Sequence, residues 1–113
     1  MSASHTPSPH DIAFQLVSEL ESHEKHVETM VDNWLDMDLY RQVGDEFEDI
    51  RVLSKAMPQL GLQWTEFLIC HAELVHSLWR LRFRESNADR QQLQIVRERH
   101  ASCLHSLQAA ACA

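Results

Sequence analysis

Apolar residues recur along the chain at alternating intervals of three and four residues, the period of a helix that buries one face. The first series keeps this spacing without interruption when a histidine is counted in it: Ala13, Leu16, Leu20, His23, Val27, Met30 and Trp34. Ser8 can cap a helix at this point, and Pro9 suits the first helical position. The pattern therefore predicts a first helix from about Pro9 to about Met37.

Three further series predict three further helices. The second helix carries a series made of Leu39, Val43, Phe47, Ile50, Leu53 and Met57. The third helix is predicted from about Leu62 to about Arg84, and the fourth from about Ala88 to about Ala110. The connectors "MPQLG" and "ESNAD" separate these helices, because their Pro, Gly, Ser and Asn residues interrupt or cap helical structure.

The end of the first helix has two candidate positions. Asp36 to Asp38 suit a break, and Gly44-Asp45 offers a later one. With either break, four amphipathic helices and short connectors predict an all-α fold, an antiparallel up-down-up-down four-helix bundle. We expect a single helical-bundle domain over residues 8–113, preceded by a disordered N-terminal segment at residues 1–7.

Charge and cysteine content limit the classes of function. The chain of 113 residues has a net charge of −7, with the acidic residues concentrated in its first half. This distribution argues against general nucleic-acid binding, which needs a clustered basic face. Three cysteines form no disulfide framework, and no signal peptide or membrane-spanning run is present. We therefore expect a soluble, cytoplasmic protein without a membrane or nucleic-acid partner.

Three histidines lie on predicted apolar faces. On a helical wheel His71 occupies the centre of the apolar face of the third helix, and His100 occupies that of the fourth. His23 lies inside the apolar arc of the first helix. The same wheel turns Glu73 and His76 outward, so the Glu-x-x-His spacing in "ICHAELVH" does not predict a di-iron centre, which needs inward-facing copies of that motif.

The three core histidines are predicted to share one level of the bundle. His23 and His71 each stand about 14 residues, roughly 21 Å, before the predicted ends of their helices. His100 stands about 12 residues, roughly 18 Å, after the start of its helix. In an up-down-up-down bundle these three ends lie at one pole, and on the second helix the same depth falls near Ser54.

A shared histidine layer has a structural interpretation. Neutral imidazoles can form hydrogen bonds with one another, with Ser54 or Glu24, or with buried water, and so fix the register of the helices. In that case no cofactor is expected. A pH switch is a second possibility, because burial lowers the pKa of a histidine and acid would then loosen the bundle.

A metal or haem site is the third interpretation. Imidazole nitrogens are common ligands of zinc and copper, and three of them leave a place for one further ligand. The candidate metal ligands are His23, His71 and His100, with water or Cys103 completing the set, since Cys103 follows His100 by one helical turn. Haem held by one or two of the histidines is a variant of this hypothesis.

One pole of the predicted bundle gathers aromatic and basic side chains, and aromatic residues with arginine are typical of protein interfaces. The candidate partner-binding residues are Trp34, Trp79, Arg80, Phe83 and Arg84, with Tyr40 nearby. No nucleophile–base pair, phosphate loop or paired carboxylate motif appears. The sequence thus predicts a protein-binding or regulatory module with an unknown protein partner, not an enzyme, as monomer or homodimer. A metal- or haem-binding bundle is the alternative.

Overall fold

The chain forms four long α-helices joined by short connectors. The computed structural model describes residues 8–83 and 86–113, and the helices are α1 (Pro9–Asp32), α2 (Met37–Lys55), α3 (Gly61–Phe83) and α4 (Asn87–Cys112). One turn of 3-10 helix, Pro58–Leu60, precedes α3. No strand occurs within those two ranges. The predicted disordered segment at residues 1–7 lies outside the described residues.

The helices pack in a closed ring. α1 packs against α2 and α4, and α3 packs against α4 and α2. Because each connector is too short to cross the bundle, successive helices run in opposite directions. The predicted all-α four-helix bundle is confirmed. None of the helices in the described part of the chain has the length and apolarity that a membrane span requires.

The connector between α1 and α2, residues 33–36, overlaps the first predicted break only at Asp36. α1 ends at Asp32, five residues before the predicted end near Met37, and the alternative break at Gly44 was wrong because Gly44 lies inside α2. The Asn33 side chain donates a hydrogen bond of 2.8 Å to the carbonyl of Thr29, and so competes with continued helix. Asp36 then caps α2 by accepting a hydrogen bond of 3.2 Å from the backbone N–H of Leu39.

The core consists of two apolar clusters, one above the other along the bundle. The first cluster contains Leu16, Leu20, Ile50, Met57, Leu60, Phe67, Leu104, Leu107 and Ala111. The second contains Val27, Met30, Val31, Val43, Leu74, Leu78 and Val96. On three helices a histidine stands between a residue of the first cluster and a residue of the second: His23 on α1, His71 on α3 and His100 on α4. A layer of imidazoles therefore separates the two halves of the core.

Candidate metal centre

The structure brings the three predicted core histidines together. One ring nitrogen from each of His23, His71 and His100 lies within 4.8 Å of the other two. The ring centroids are 6.0, 6.2 and 5.9 Å apart, so the imidazoles form a nearly equilateral triangle. Each ring comes from a different helix, so the cluster exists only in the folded bundle.

Burial keeps these imidazoles uncharged. His23 is fully buried and His100 is 3% exposed, while His71 is half-buried. Burial, with smaller contributions from the neighbouring His71 and His100, lowers the pKa of His23 to about 3. Burial likewise lowers the pKa of His100 to about 3 and that of His71 to about 4. At neutral pH all three rings are neutral, which is the form that binds a metal ion.

Each ring has a buried nitrogen without a hydrogen-bond partner in the protein: Nε2 of His23, Nδ1 of His71 and Nε2 of His100. Ser54 and Glu24, the two side chains expected from the sequence as hydrogen-bond partners, do not bind these rings. Ser54 is buried, but its hydroxyl also has no partner. Glu24 instead binds His105, at 2.7 Å. Three buried polar atoms without partners are costly, at about 1–3 kcal/mol each.

The second nitrogen of His23 is held by Glu46 from α2. Oε1 of Glu46 lies 3.1 Å from Nδ1 of His23, and Oε2 lies 2.5 Å from Nδ1 of His26. A carboxylate can only accept hydrogen bonds, so Nδ1 of His23 carries the proton and Nε2 has a free lone pair. Burial raises the pKa of Glu46, and the hydrogen bond from His26 opposes that rise. A carboxylate behind a histidine is the arrangement that orients metal ligands in proteins.

Glu46 was not identified from the sequence as a neighbour of the histidines, because the height of the histidine layer along α2 was predicted wrongly. His23 lies nine residues before the end of α1, and Glu46 lies nine residues after the start of α2. The early end of α1 therefore places Glu46 beside His23, and Ser54 lies about 12 Å further along α2. In the sequence Glu46 is one of several acidic residues that resemble a solvated face. Only its position along α2, at the height of the histidine layer, could have identified it as a neighbour of His23.

Aromatic rings enclose the histidine triangle. Phe47 stacks on His71, with ring centroids 4.0 Å apart and an interplanar angle of 14°. Phe67 closes the side that faces the first core cluster, with its centroid 5.3 Å from that of His100 and 6.0 Å from that of His23. These rings keep water away from that side of the triangle, which strengthens electrostatic interactions inside it.

Cys103, the predicted fourth ligand, is not among the gathered donor atoms. Its thiol lies near that of Cys70 on α3, and burial, with a smaller contribution from Cys103, raises the pKa of Cys70 to about 12, so the Cys70 thiol stays protonated. The Cys103 side chain packs against the first core cluster and does not join the triangle.

Two surface grooves reach the histidines from opposite sides of the bundle. A groove of about 200 Å³ on α1 and α4 is lined by His100, Glu24, Glu28 and Glu98 among others. A second groove, of about 290 Å³, lies on α2 and α3 and reaches His71. The carboxylates of the first groove favour the approach of a cation.

The other predicted residues lie at the surface or at the α1–α2 connector. Glu73 binds Arg99 at 2.9 Å and His76 is exposed, so the Glu-x-x-His pair points away from the core as predicted. Trp34, Tyr40 and Trp79 meet edge to face, with centroids 5.1 to 5.8 Å apart.

The structure places the other candidate partner-binding residues, Arg80 and Phe83, in different environments. Arg80 lies 3.4 Å from Asp89, which is buried near the start of α4. Phe83 projects from the end of α3 into solvent. Arg84 lies outside the described residues. The predicted cluster of aromatic and basic residues is therefore present at Trp34, Trp79 and Arg80, with Phe83 at its edge.

The chain matches no protein-family model, no curated protein and no solved structure.

Proposed function

We propose that this protein binds one transition-metal ion, zinc or copper, at His23, His71 and His100. The observation that carries the proposal is the gathering of one ring nitrogen from each of three histidines on three helices, within 4.8 Å of one another. Each of these rings also has a buried nitrogen without a hydrogen-bond partner in the protein. A point equidistant from three atoms that lie within 4.8 Å of one another is at most about 2.8 Å from each, and zinc binds imidazole at about 2.0–2.1 Å. Inward movements of less than about 1 Å, which small side-chain rotations provide, would complete the coordination.

A metal ion would provide a partner for the ring nitrogens that have no hydrogen-bond partner in the protein. The acceptor nitrogen of a neutral imidazole needs a hydrogen-bond donor facing it. Neither Ser54 nor Glu24 binds a ring of the triangle. A cation would instead accept all three lone pairs at once. The Glu46 carboxylate behind His23 supplies a negative charge close to the ion, which offsets part of the cost of burying it.

The donor set selects among the possible ions. Three imidazoles favour zinc or copper, whereas calcium and magnesium require mainly oxygen ligands. No sulfur belongs to the gathered group of donors. Haem is not proposed, because Phe47 and Phe67 pack directly against the imidazoles and occupy the space that a macrocycle would need.

Metal binding at this position supports a regulatory role better than catalysis. The ion would join α1, α3 and α4 at the level that separates the two core clusters. Binding would therefore stabilise the bundle as a whole and make its stability depend on the free metal concentration. We infer that the protein is a regulatory binding module, as expected from the sequence, and that metal binding at the buried site controls it.

The test is metal titration of protein purified without a polyhistidine tag. We expect one equivalent of Zn²⁺ to bind and to raise the unfolding temperature. His100→Leu should abolish both effects, whereas His76→Leu, a change at an exposed histidine of α3, should leave them intact. If the parent binds no zinc, or if both variants bind it equally, the proposed site at His23, His71 and His100 is wrong.

A further inference from the structure

The side of α3 that faces away from the core carries an apolar stripe. Leu62, Ile69, His76 and Phe83 recur every seven residues, and at 100° per residue they drift by only about 60° around the helix. The side chains of Leu62, Ile69 and Phe83 are 68, 53 and 82% exposed. We call these four residues, with the exposed Ala72 between them, the α3 stripe. Large exposed apolar side chains aligned along one side of a helix are typical of an interaction site.

The shape of the α3 stripe is complementary to itself. Leu62 projects from its N-terminal end, and a groove of about 520 Å³ lined by His76, Trp79, Arg80 and Phe83 lies at its C-terminal end. The two ends are separated by 21 residues, or about 32 Å. If two copies met with their α3 helices antiparallel, each Leu62 would lie against the groove of the other copy, as a twofold interface requires.

Two charged residues beside the stripe, Glu66 and Arg80, have the same symmetry. Glu73 between them is paired with Arg99 of its own chain. Glu66, near the N-terminal end, is exposed and has no ion-pair partner among residues 8–83 and 86–113. Arg80, near the C-terminal end, contacts Asp89 through one guanidinium nitrogen and remains 47% exposed. Its other N–H groups can donate hydrogen bonds to a second carboxylate. An antiparallel pair would bring Glu66 of one copy to Arg80 of the other, whereas a parallel pair would oppose like charges.

We propose that two copies of this chain associate through the α3 stripe, with their α3 helices antiparallel about a twofold axis near Ala72. The partner at this surface is thus a second copy of the chain. The interface lies on the opposite side of α3 from the histidine triangle, so it does not depend on metal binding.

Light scattering coupled to gel filtration tests the association, with protein varied from about 1 µM to about 1 mM. The parent should approach twice its chain mass of 13.1 kDa as its concentration rises. Ile69→Glu should remain monomeric, while Val52→Glu, a matched change at a 57% exposed position on α2, should associate like the parent. A monomeric parent, or an Ile69→Glu variant that associates as the control does, would overturn the proposal.

Charge reversal tests the antiparallel orientation. Glu66→Arg alone and Arg80→Glu alone should each weaken association at least about tenfold, because each places like charges opposite one another. The double variant restores opposite charges and should regain most of that loss. Circular dichroism and the unfolding temperature identify any loss of fold when the Arg80–Asp89 contact is removed. A double variant no stronger than the single ones would exclude the antiparallel pairing.

Discussion

Glu46 accepts a hydrogen bond from Nδ1 of His23 across the interface of α1 and α2, at 3.1 Å. This contact fixes which nitrogen of His23 carries the proton, and it leaves the other, Nε2, unprotonated and without a hydrogen-bond partner in the protein. The contact therefore links a charged residue near the surface of α2 to the arrangement of a fully buried ring on α1.

Replacing Glu46 by Gln should weaken zinc binding by about 10–100-fold without unfolding the bundle, because carboxylates behind histidine ligands contribute about that much to metal affinity. Competition with a chromogenic chelator measures the affinity. Glu48→Gln, at an exposed position of the same helix, should bind zinc as the parent does. Equal affinity in the two variants would show that Glu46 does not orient a ligand.

The metal-free protein should lose stability as the pH falls from about 6.5 toward about 4. In the unfolded chain the histidines take up protons near pH 6.5, whereas burial lowers the folded-state pKa of His23 and His100 to about 3 and of His71 to about 4. The unfolded state therefore binds more protons in this range and is favoured by acid. Each such histidine lowers the free energy of unfolding by about 1.4 kcal/mol per pH unit.

Urea unfolding at successive pH values, with a chelator present, measures this dependence. His71→Leu should give a shallower slope between pH 6 and about 4.5, and His10→Leu, at an exposed position in the first turn of α1, should not change the slope. The prediction fails if the parent and His71→Leu respond to acid identically.

His100→Leu should leave the metal-free bundle as stable as the parent, within about 1 kcal/mol, or make it more stable. The substitution removes a buried nitrogen that has no partner and inserts an apolar side chain of similar size between the two core clusters. Thermal and urea unfolding without metal provide the measurement. A loss of several kcal/mol would instead indicate that His100 makes a stabilising hydrogen bond in the folded protein.

The sequence predicts the histidine layer more completely than its surroundings. The 3.6-residue period alone places His23, His71 and His100 on core faces, because a helical wheel depends on spacing and not on where a helix ends. The level of α2 depends on the helix boundary, and Asn33 and Asp36 move that boundary through local side-chain hydrogen bonds. The misplaced boundary was enough to suggest Ser54 where Glu46 lies, eight residues earlier.

Cys103 shows a second limit of the sequence. Cys103 lies one turn from His100 and so is close to it along α4. Which residues its side chain contacts depends on how the neighbouring helices pack against α4. In the bundle Cys103 meets Cys70 of α3. The identity of that neighbour follows from tertiary packing, which spacing within one helix does not contain.

The most direct test of the proposed site is the zinc K-edge X-ray absorption spectrum of protein loaded with one equivalent of Zn²⁺. We expect three imidazole nitrogens at about 2.0–2.1 Å, a light fourth ligand, and no sulfur shell at about 2.3 Å. The same spectrum of Glu46→Gln should keep this ligand set. A sulfur shell, or fewer than three imidazoles in the parent, would contradict a site formed by His23, His71 and His100.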